Sequence, residues 1–385
     1  MAQGRIYKRG STWSYRIDGP IDPATGKRRQ ISKGGFRTKR DAENALSVVK
    51  YELDTGQHVR RSRLTVGEYF EGWLPSQANR LAPSTMKAYR TAIGRLDRHI
   101  GQMPLQALTP EVVEQLHEDL REDGLSPKTV LNTHHVLQAG LRDAARRGLV
   151  SQNVAAVAQT PSNTREPQLV LSRTELQVVI DEIEDPTMNA IVRVASRTGL
   201  RRGELVALRY DDIDLEARTI RVDSSITAVG GGFVEGPPKT KKSRRVVAID
   251  DQTVEVLRQQ RERSEDLRTR LDAEPISGDD FVFTRPNLEH LHPDGLSNQF
   301  TRILSRISSE HEIPLITFHG LRHTHATHCL EAGVNPKAVA DRLGHSSVAT
   351  TLDLYSHITA ATSAAVADHI SEYLAINNTN TSSTG

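Results

Sequence analysis

The spacing of hydrophobic and polar positions changes twice along the chain, which predicts three regions of different structure. Up to residue 63, short runs rich in Tyr, Trp and Ile alternate with Gly, Pro and Asp turn residues, a pattern typical of three short strands. Thr38 can then cap a helix from about Lys39 to Leu53, because apolar residues recur on one helical face: Ala42, Ala45, Leu46 and Val49. The first region is therefore expected to be a small three-stranded sheet backed by one helix.

From residue 65 the apolar positions follow a helical period. Ser84 is a candidate cap for one helix, which Gly101 would end. Two further helices begin with a capping residue followed by proline at the first helical position: Thr109-Pro110 and Ser126-Pro127. This pattern predicts four helices and a compact all-α domain over residues 64–160.

The third region mixes both patterns. A polar stretch with prolines at residues 158–169 predicts a linker, and Ser172 with Glu175 forms a capping box that opens the next domain. Helical spacing gives way to strands in RTIRVDSS, ITAV and SRRVVAI, and then returns. We expect an α+β domain over residues 168–376 and a disordered tail over 377–385. The fold class is thus multidomain, mainly α with small β-sheets.

Charge is distributed unevenly between these regions. The net charge of the 385-residue chain is only +2, but residues 1–63 hold 15 Lys and Arg against 6 Asp and Glu, or +9, and the other 322 residues sum to −7. Because the basic residues alternate with aromatic and apolar ones, a nucleic-acid partner is favoured over a merely solvated surface. One cysteine excludes an internal disulfide, and no apolar run reaches signal-peptide or membrane-span length, so a cytoplasmic protein without a membrane partner is expected.

The decapeptide HGLRHTHATH, which begins at His319, raises two hypotheses, a metal site and an anion site. At about 100° per residue, His319, Arg322 and His323 share a helix face, whereas His325 and His328 point the other way. Four histidines therefore cannot converge on one ion, and zinc at His319 and His323 would need a third ligand from elsewhere. In the alternative, His319 and Arg322 donate together to one anion.

Four other stretches carry groups suited to a phosphodiester. TGLRRGE places Arg201 after a helix-breaking glycine, with Glu204 one turn later to orient its guanidinium. PPKTKKSRR places lysines at a predicted hairpin tip, RLGHSS places His345 at a helix end, and TTLDLYSH places Tyr355 among polar neighbours. Each residue alone also fits a surface or packing role. It is the complete set that favours a single site.

In order and spacing, these stretches resemble the tyrosine recombinase family, the phage-integrase-like site-specific recombinases. The matching segments are TGLRRGE at 198–204, PKT at 238–240, HGLRH at 319–323, LGHSS at 343–347 and TTLDLYSH at 350–357. The resemblance covers residues 168–376 as a catalytic domain. Residues 64–160 resemble the family's core-binding domain, and residues 1–63 resemble the arm-binding domain of three-domain integrases.

The resemblance implies a role for each candidate residue. Arg201 and Arg322 would bind the non-bridging oxygens of the scissile phosphate, and His319 and His345 would donate further hydrogen bonds to it. Tyr355 would attack phosphorus to form a 3′-phosphotyrosine, without metal or nucleotide. Lys239 would protonate the leaving 5′-oxygen, with Lys241 and Lys242 as alternatives, and Glu204 would support the pocket.

The resemblance also implies partners and leaves rival interpretations. The expected partners are double-stranded DNA with core and arm sequences, three further copies of the chain in a tetramer on DNA, a host DNA-bending protein and an excisionase. A chromosome-dimer-resolving recombinase or a type IB topoisomerase would share the chemistry, although the former is expected to lack an arm-binding domain. A DNA-binding regulator without catalysis is a rival from another class, but it predicts an incomplete catalytic set.

Overall fold

A computed structural model describes most of the chain and divides it into two compact units, residues 1–165 and 166–385. The described residues are 4–21, 26, 28–54, 59, 62–162, 168–229, 232–238, 241–345, 347–349, 351–352 and 371. The predicted domain boundaries at residues 63, 160 and 376 stay predictions. The fold class, mainly helical with small sheets, is confirmed.

The first unit opens with the predicted three-stranded sheet. Its antiparallel strands run in sequence order: β1 Gly4–Arg9, β2 Thr12–Ile21 and β3 Arg28–Phe36. The helix α1, Lys39–Asp54, packs against it and buries Ala42, while Tyr15 and Ile17 of β2 are also buried. Thr38 caps α1 as predicted, because its Oγ1 accepts a hydrogen bond from the backbone N–H of Asp41 at 3.1 Å.

Four α-helices complete the first unit, as the apolar spacing predicts. They are α2 Val66–Trp73, α3 Pro83–Ile100, α4 Pro110–Glu122 and α5 Pro127–Arg146. Thr109 and Ser126 cap α4 and α5 as predicted. The prediction that Ser84 caps α3 is wrong: Pro83 is already the first helical residue, since its fixed φ suits that position, and extended Ala82 takes the cap position without a side-chain bond.

The second unit combines seven described helices with five short strands. Its elements are α6 Arg173–Asp181, α7 Pro186–Thr198, α8 Arg202–Val206, β4 Ile213–Asp214, β5 Thr219–Val222, β6 Ser225–Val229, β7 Gly232–Gly236, β8 Arg245–Ala248, α9 Asp251–Arg270, α10 Pro293–His311, α11 Phe318–Glu331 and α12 Pro336–Leu343. The strands form an antiparallel sheet in the order β4-β5-β8 and a separate β6-β7 hairpin. The Ser172 capping box opens α6 as predicted.

One predicted feature of the strand region is wrong. Lys241 and Lys242 do not lie at a hairpin tip, because β7 pairs with β6 whereas β8 pairs with β5. The lysine segment therefore connects two different sheets. Lys239 lies outside the described residues, as do the predicted tail and Tyr355.

The helix α7 lies at the centre of the second unit, and its C-terminal end fixes the position of the residues that follow it. It packs against both α9 and α11, and Ile191, Val192 and Val194 are at most 1% exposed. Truncating such a side chain to alanine typically costs about 2–5 kcal/mol for Leu or Ile. The C-terminal end of α7 is thus rigidly placed, and the next residues, 199–204, inherit that position. Within the described part of the chain, no helix is long and apolar enough to cross a membrane.

Candidate active site

The first side of the site is a sharp turn after α7. Gly199 ends the helix with φ +66°, a left-handed conformation that favours glycine. A Cβ at this position would also lie 2.4 Å from a methyl group of Leu343 and 2.7 Å from the His325 ring. The turn thus requires glycine for two independent reasons, and it brings Arg201 to the start of α8.

A buried carboxylate orients Arg201. Glu204 is 3% exposed and accepts from Arg201 twice, from Nη1 at 2.7 Å and from the backbone N–H at 2.9 Å. The Arg201 guanidinium also donates to the backbone oxygen of Gly344 at 3.0 Å. Burial alone would raise the pKa of Glu204, but hydrogen bonds and charge from Arg245 and Arg201 outweigh it and lower the pKa. Glu204 is therefore an anion that holds Arg201 in place.

The second side of the site is α11, where Arg322 is 3% exposed. Its terminal nitrogens donate to two backbone oxygens at 2.6 Å each, those of Gly199 and Leu343. Among the described residues, no carboxylate forms an ion pair with Arg322. Burial, followed by the charge of Arg201, lowers the pKa of Arg322 to about 9, so it stays a cation at neutral pH. A buried cation with only carbonyl partners favours the arrival of an anion.

Two histidines border this pair of arginines. Loss of solvent, together with nearby His and Arg charges, lowers the pKa of His319 and of His345 to about 4 each. Arg322 and Arg201 contribute to both shifts. His345 follows the end of α12, and its Nδ1 lies 2.9 Å from the hydroxyl of Thr351. Both rings are thus neutral at physiological pH, and each can offer one N–H to an anion.

The structure brings five of the predicted site residues close enough for their charges to affect one another's pKa. They are Arg201, Glu204, His319, Arg322 and His345. The predicted nucleophile Tyr355 and the predicted proton donor Lys239 lie outside the described residues. Their roles therefore stay predictions.

The four histidines of the decapeptide do not converge on one point. His319 and His323 stack edge to face with ring centroids 4.8 Å apart, and no third His, Cys or carboxylate joins them at ligand distance in the described part of the chain. His325 Nδ1 lies 2.9 Å from the backbone oxygen of Ser196, and His328 Nε2 lies 2.9 Å from that of Leu171. His325 and His328 thus bind backbone carbonyls of packed segments, and His325 Nε2 also accepts from Arg342 Nε at 3.2 Å.

Sequence reasoning missed Arg245, which contacts both oxygens of Glu204. A signal for it exists in RVVAI, where Val247 and Ile249 are buried. Because side chains alternate along a strand, Arg245 must share their inward face, which is an unusual place for a charge. An inward arginine at the start of a strand predicts a buried acidic partner.

Three known families match successive parts of the chain. The phage integrase family matches residues 170–362, half of the chain. The arm DNA-binding domain matches residues 5–53, and the phage integrase N-terminal SAM-like domain matches residues 65–121.

Relatives and solved structures of the same kind cover nearly all of the chain. The ICEBs1 integrase of Bacillus subtilis (strain 168) is 27% identical over 94% of this chain and 97% of its own length. The Tyrosine recombinase XerC-like protein of Caldanaerobacter subterraneus is 26% identical over 84% of this chain and 86% of its own length.

Two solved structures share the fold. The Tn1549 transposon integrase in complex with a circular intermediate DNA has a TM-score of 0.70 at 23% identity, covering 80% of this chain and 99% of that one. A lambda integrase tetramer bound to a Holliday junction has a TM-score of 0.58 at 19% identity, covering 91% and 94%. With a family match over half of its length, the chain belongs to the phage integrase family and is a site-specific tyrosine recombinase of the integrase type.

Proposed function

We propose that Arg201, His319, Arg322 and His345 bind the scissile phosphate of DNA and stabilise the negative charge that builds up during strand exchange. The observation that carries the proposal is Arg322, a buried cation beside Arg201 that bonds backbone carbonyls and, among the described residues, forms no direct ion pair, although the charge of Glu204 reaches it. A phosphate oxygen would supply the missing anion, and the guanidinium fork matches two such oxygens. The two histidines lie at the ends of helices α11 and α12 and donate as neutral rings.

The nucleophile in this proposal is Tyr355. Its hydroxyl loses a proton to solvent and its oxygen forms a bond to phosphorus while the bond from phosphorus to the 5′-oxygen breaks, which leaves a 3′-phosphotyrosine. Lys239 gives its proton to the departing 5′-oxygen, with Lys241 and Lys242 as the alternatives. The phosphotyrosine bond conserves the energy of the broken diester for rejoining to another strand. The reaction therefore requires no metal or nucleotide.

The DNA partners in this proposal are two kinds of sequence. The basic residues of the N-terminal sheet, including exposed Arg5, Arg9 and Arg16, suit arm DNA, and residues 64–160 with 168–376 suit the core site. Four copies of the chain would assemble on DNA, in the way that lambda integrase forms a tetramer bound to a Holliday junction. A host DNA-bending protein and an excisionase are the further partners that we expect to set the direction of recombination.

Substitution of Tyr355 by Phe tests the nucleophile. The substrate is core-site DNA, selected as the genomic fragments that the wild-type protein captures covalently. Tyr355→Phe removes only the attacking oxygen, so DNA binding should persist while the covalent protein–DNA adduct disappears from denaturing gels. A matched control, Tyr51→Phe, removes the hydroxyl of an exposed tyrosine on α1 and should leave adduct formation unchanged. An adduct formed by Tyr355→Phe would contradict the assignment.

Deletion of residues 1–63 separates the integrase from a chromosome-dimer-resolving recombinase, the second candidate, which relatives named XerC-like and XerD favour. If these residues bind arm DNA, the truncated protein should still cleave an isolated core site, because the proposed catalytic residues all remain. Recombination between full attachment sites should fail. Recombination of full sites at the wild-type rate would instead favour the simpler recombinase.

A further inference from the structure

The turn that presents Arg201 is held by the second arginine, Arg245, at the start of β8. Its side chain is 7% exposed and lies against Glu204, whose side chain is 1% exposed. The two terminal nitrogens of Arg245 donate to the two carboxylate oxygens, at 3.2 Å to Oε1 and 2.9 Å to Oε2. This bidentate contact fixes the plane of the carboxylate as well as its position.

Arg245 also bonds the two other chain segments that surround Arg201. Its Nε donates to the backbone oxygen of Arg342 at 2.6 Å, near the end of α12. Its Nη1 donates to the backbone oxygen of Ser243 at 2.9 Å, in the turn before β8. A single guanidinium thus joins α8, the end of α12 and the segment that follows the lysines.

Each acceptor described for the Arg201 guanidinium belongs to one of these three segments. Nη1 donates to Glu204 at 2.7 Å and more weakly to the Ser243 hydroxyl at 3.4 Å, and Nη2 donates to the Gly344 oxygen at 3.0 Å. Arg245 bonds Glu204 itself, the backbone of Ser243, and Arg342, two residues before Gly344. The geometry of Arg201 therefore depends on contacts that Arg245 makes.

Close packing between these segments leaves little freedom for an alternative arrangement. Gly344 has φ +65°, and a Cβ there would lie 3.1 Å from the Lys242 backbone oxygen and 3.4 Å from Arg245 Cδ. The end of α12 thus rests directly on residues 242–245. Loss of the Arg245 guanidinium would loosen the end of α12 and the turn at Ser243, both of which contact Arg201.

We propose that Arg245 is a positioning residue for the recombination reaction, which sets the orientation of Arg201 toward the scissile phosphate through Glu204, Ser243 and the end of α12. The inference rests on the phosphate-binding role proposed for Arg201. Because its own nitrogens are bound to Glu204 and to backbone oxygens, Arg245 is not itself a phosphate ligand. Its contribution is to order Arg201 before DNA arrives.

The test compares two substrates that differ in charge at the scissile position. One is the selected core-site duplex with its ordinary phosphate, and the other carries an uncharged methylphosphonate there. Arg245→Gln should slow single-turnover adduct formation on the phosphate by about 10²-fold, as loss of one oxyanion donor does. It should slow the methylphosphonate reaction by less than about 10-fold, because that substrate lacks the charge that Arg201 stabilises. DNA affinity should stay at the wild-type value.

Two variants keep the test decisive. Arg245→Lys retains a cation beside Glu204 and so protects the fold, but it loses the fork, and we expect about a 10-fold loss on the phosphate only. Arg221→Gln removes an arginine on the paired strand β5 whose side chain is 53% exposed, and should match wild type on both substrates.

Equal losses on both substrates would show that Arg245 only supports the fold, and wild-type phosphate cleavage by Arg245→Lys would also overturn the proposal. If Arg201→Lys itself leaves phosphate cleavage unchanged, the proposed function fails first.

Discussion

Two pairs of histidines in this protein have lowered pKa values, with burial as the largest cause in both pairs but with different charged neighbours. In the first unit, His117 on α4 and His134 on α5 are 4% and 1% exposed, and their ring nitrogens lie 3.1 Å apart. Burial first, and then its histidine neighbours, lowers the pKa of His134 to about 4. In the second unit, burial is again the largest cause and lowers the pKa of His319 and of His345 to about 4, with the charges of Arg322 and Arg201 contributing further.

The difference lies in what surrounds each pair. His117 Nε2 and His134 Nδ1 share a hydrogen bond inside a packed helix interface, so their neutral state serves the stability of the fold. His319 and His345 instead border Arg201 and Arg322, and in the proposed function their neutral rings donate to the bound phosphate. A lowered pKa alone therefore does not mark a functional site, whereas a lowered pKa beside clustered arginines marks a candidate anion site.

The largest expected effect concerns Arg201 and Arg322, the two arginines beside His319 and His345. Arg322→Lys or Arg201→Lys keeps a charge but loses the bidentate fork, and should reduce the single-turnover cleavage rate by about 10²–10³-fold. The fold and the DNA affinity should persist. As a control, Arg142→Lys on the exposed side of α5 should cleave at the wild-type rate. Unchanged cleavage by both site variants would remove the electrostatic distinction between the two regions.

The packed pair should control stability instead. Since the folded pKa of His134 lies below the unfolded value of 6.5, the unfolded chain binds the proton first and stability is lost as the pH falls below about 6.5. We expect a loss of roughly 2 kcal/mol between pH 7 and pH 5 in the opening free energy of α5 amides, measured by hydrogen exchange corrected for intrinsic rates.

His134→Gln can keep a bond to His117 but cannot titrate, so it should reduce this pH dependence. His135→Gln, at the exposed neighbouring position, should not. An identical pH dependence in His134→Gln and wild type would show that the packed pair has no role in acid stability.

The smallest expected effect is a change in pKa on DNA binding. A phosphate between the arginines favours protonated rings nearby, so core-site DNA should raise the pKa of His319 and His345 by about one unit. The pKa of His134 should not change. NMR titration of the histidine Cε1–H signals, in Tyr355→Phe protein to prevent cleavage, measures both. An equal rise at His134 would indicate a global change in structure rather than phosphate contact.

Local patterns in the sequence determined most of the secondary structure. The caps at Thr38, Thr109, Ser126 and Ser172 are confirmed, because a capping bond joins residues two or three positions apart. The helical phase of HGLRHTHATH was less exact: His328 bonds Leu171, away from Arg322, but His325 and Arg322 both bond backbone oxygens at the end of α7, those of Ser196 and Gly199. Order and spacing of the motifs were sufficient to identify the family.

Only the tertiary structure decided how distant segments meet. Arg201 bonds Gly344, and Arg245 bonds Glu204, across 143 and 41 positions of the chain. The pairing of β8 with β5 rather than β7 likewise placed the lysine segment between two sheets. Hydrophobic periodicity specifies which face of each element is buried, but not which element covers it. The partner of a buried charge is therefore set by packing, and the role inferred for Arg245 became visible only when the segments were assembled.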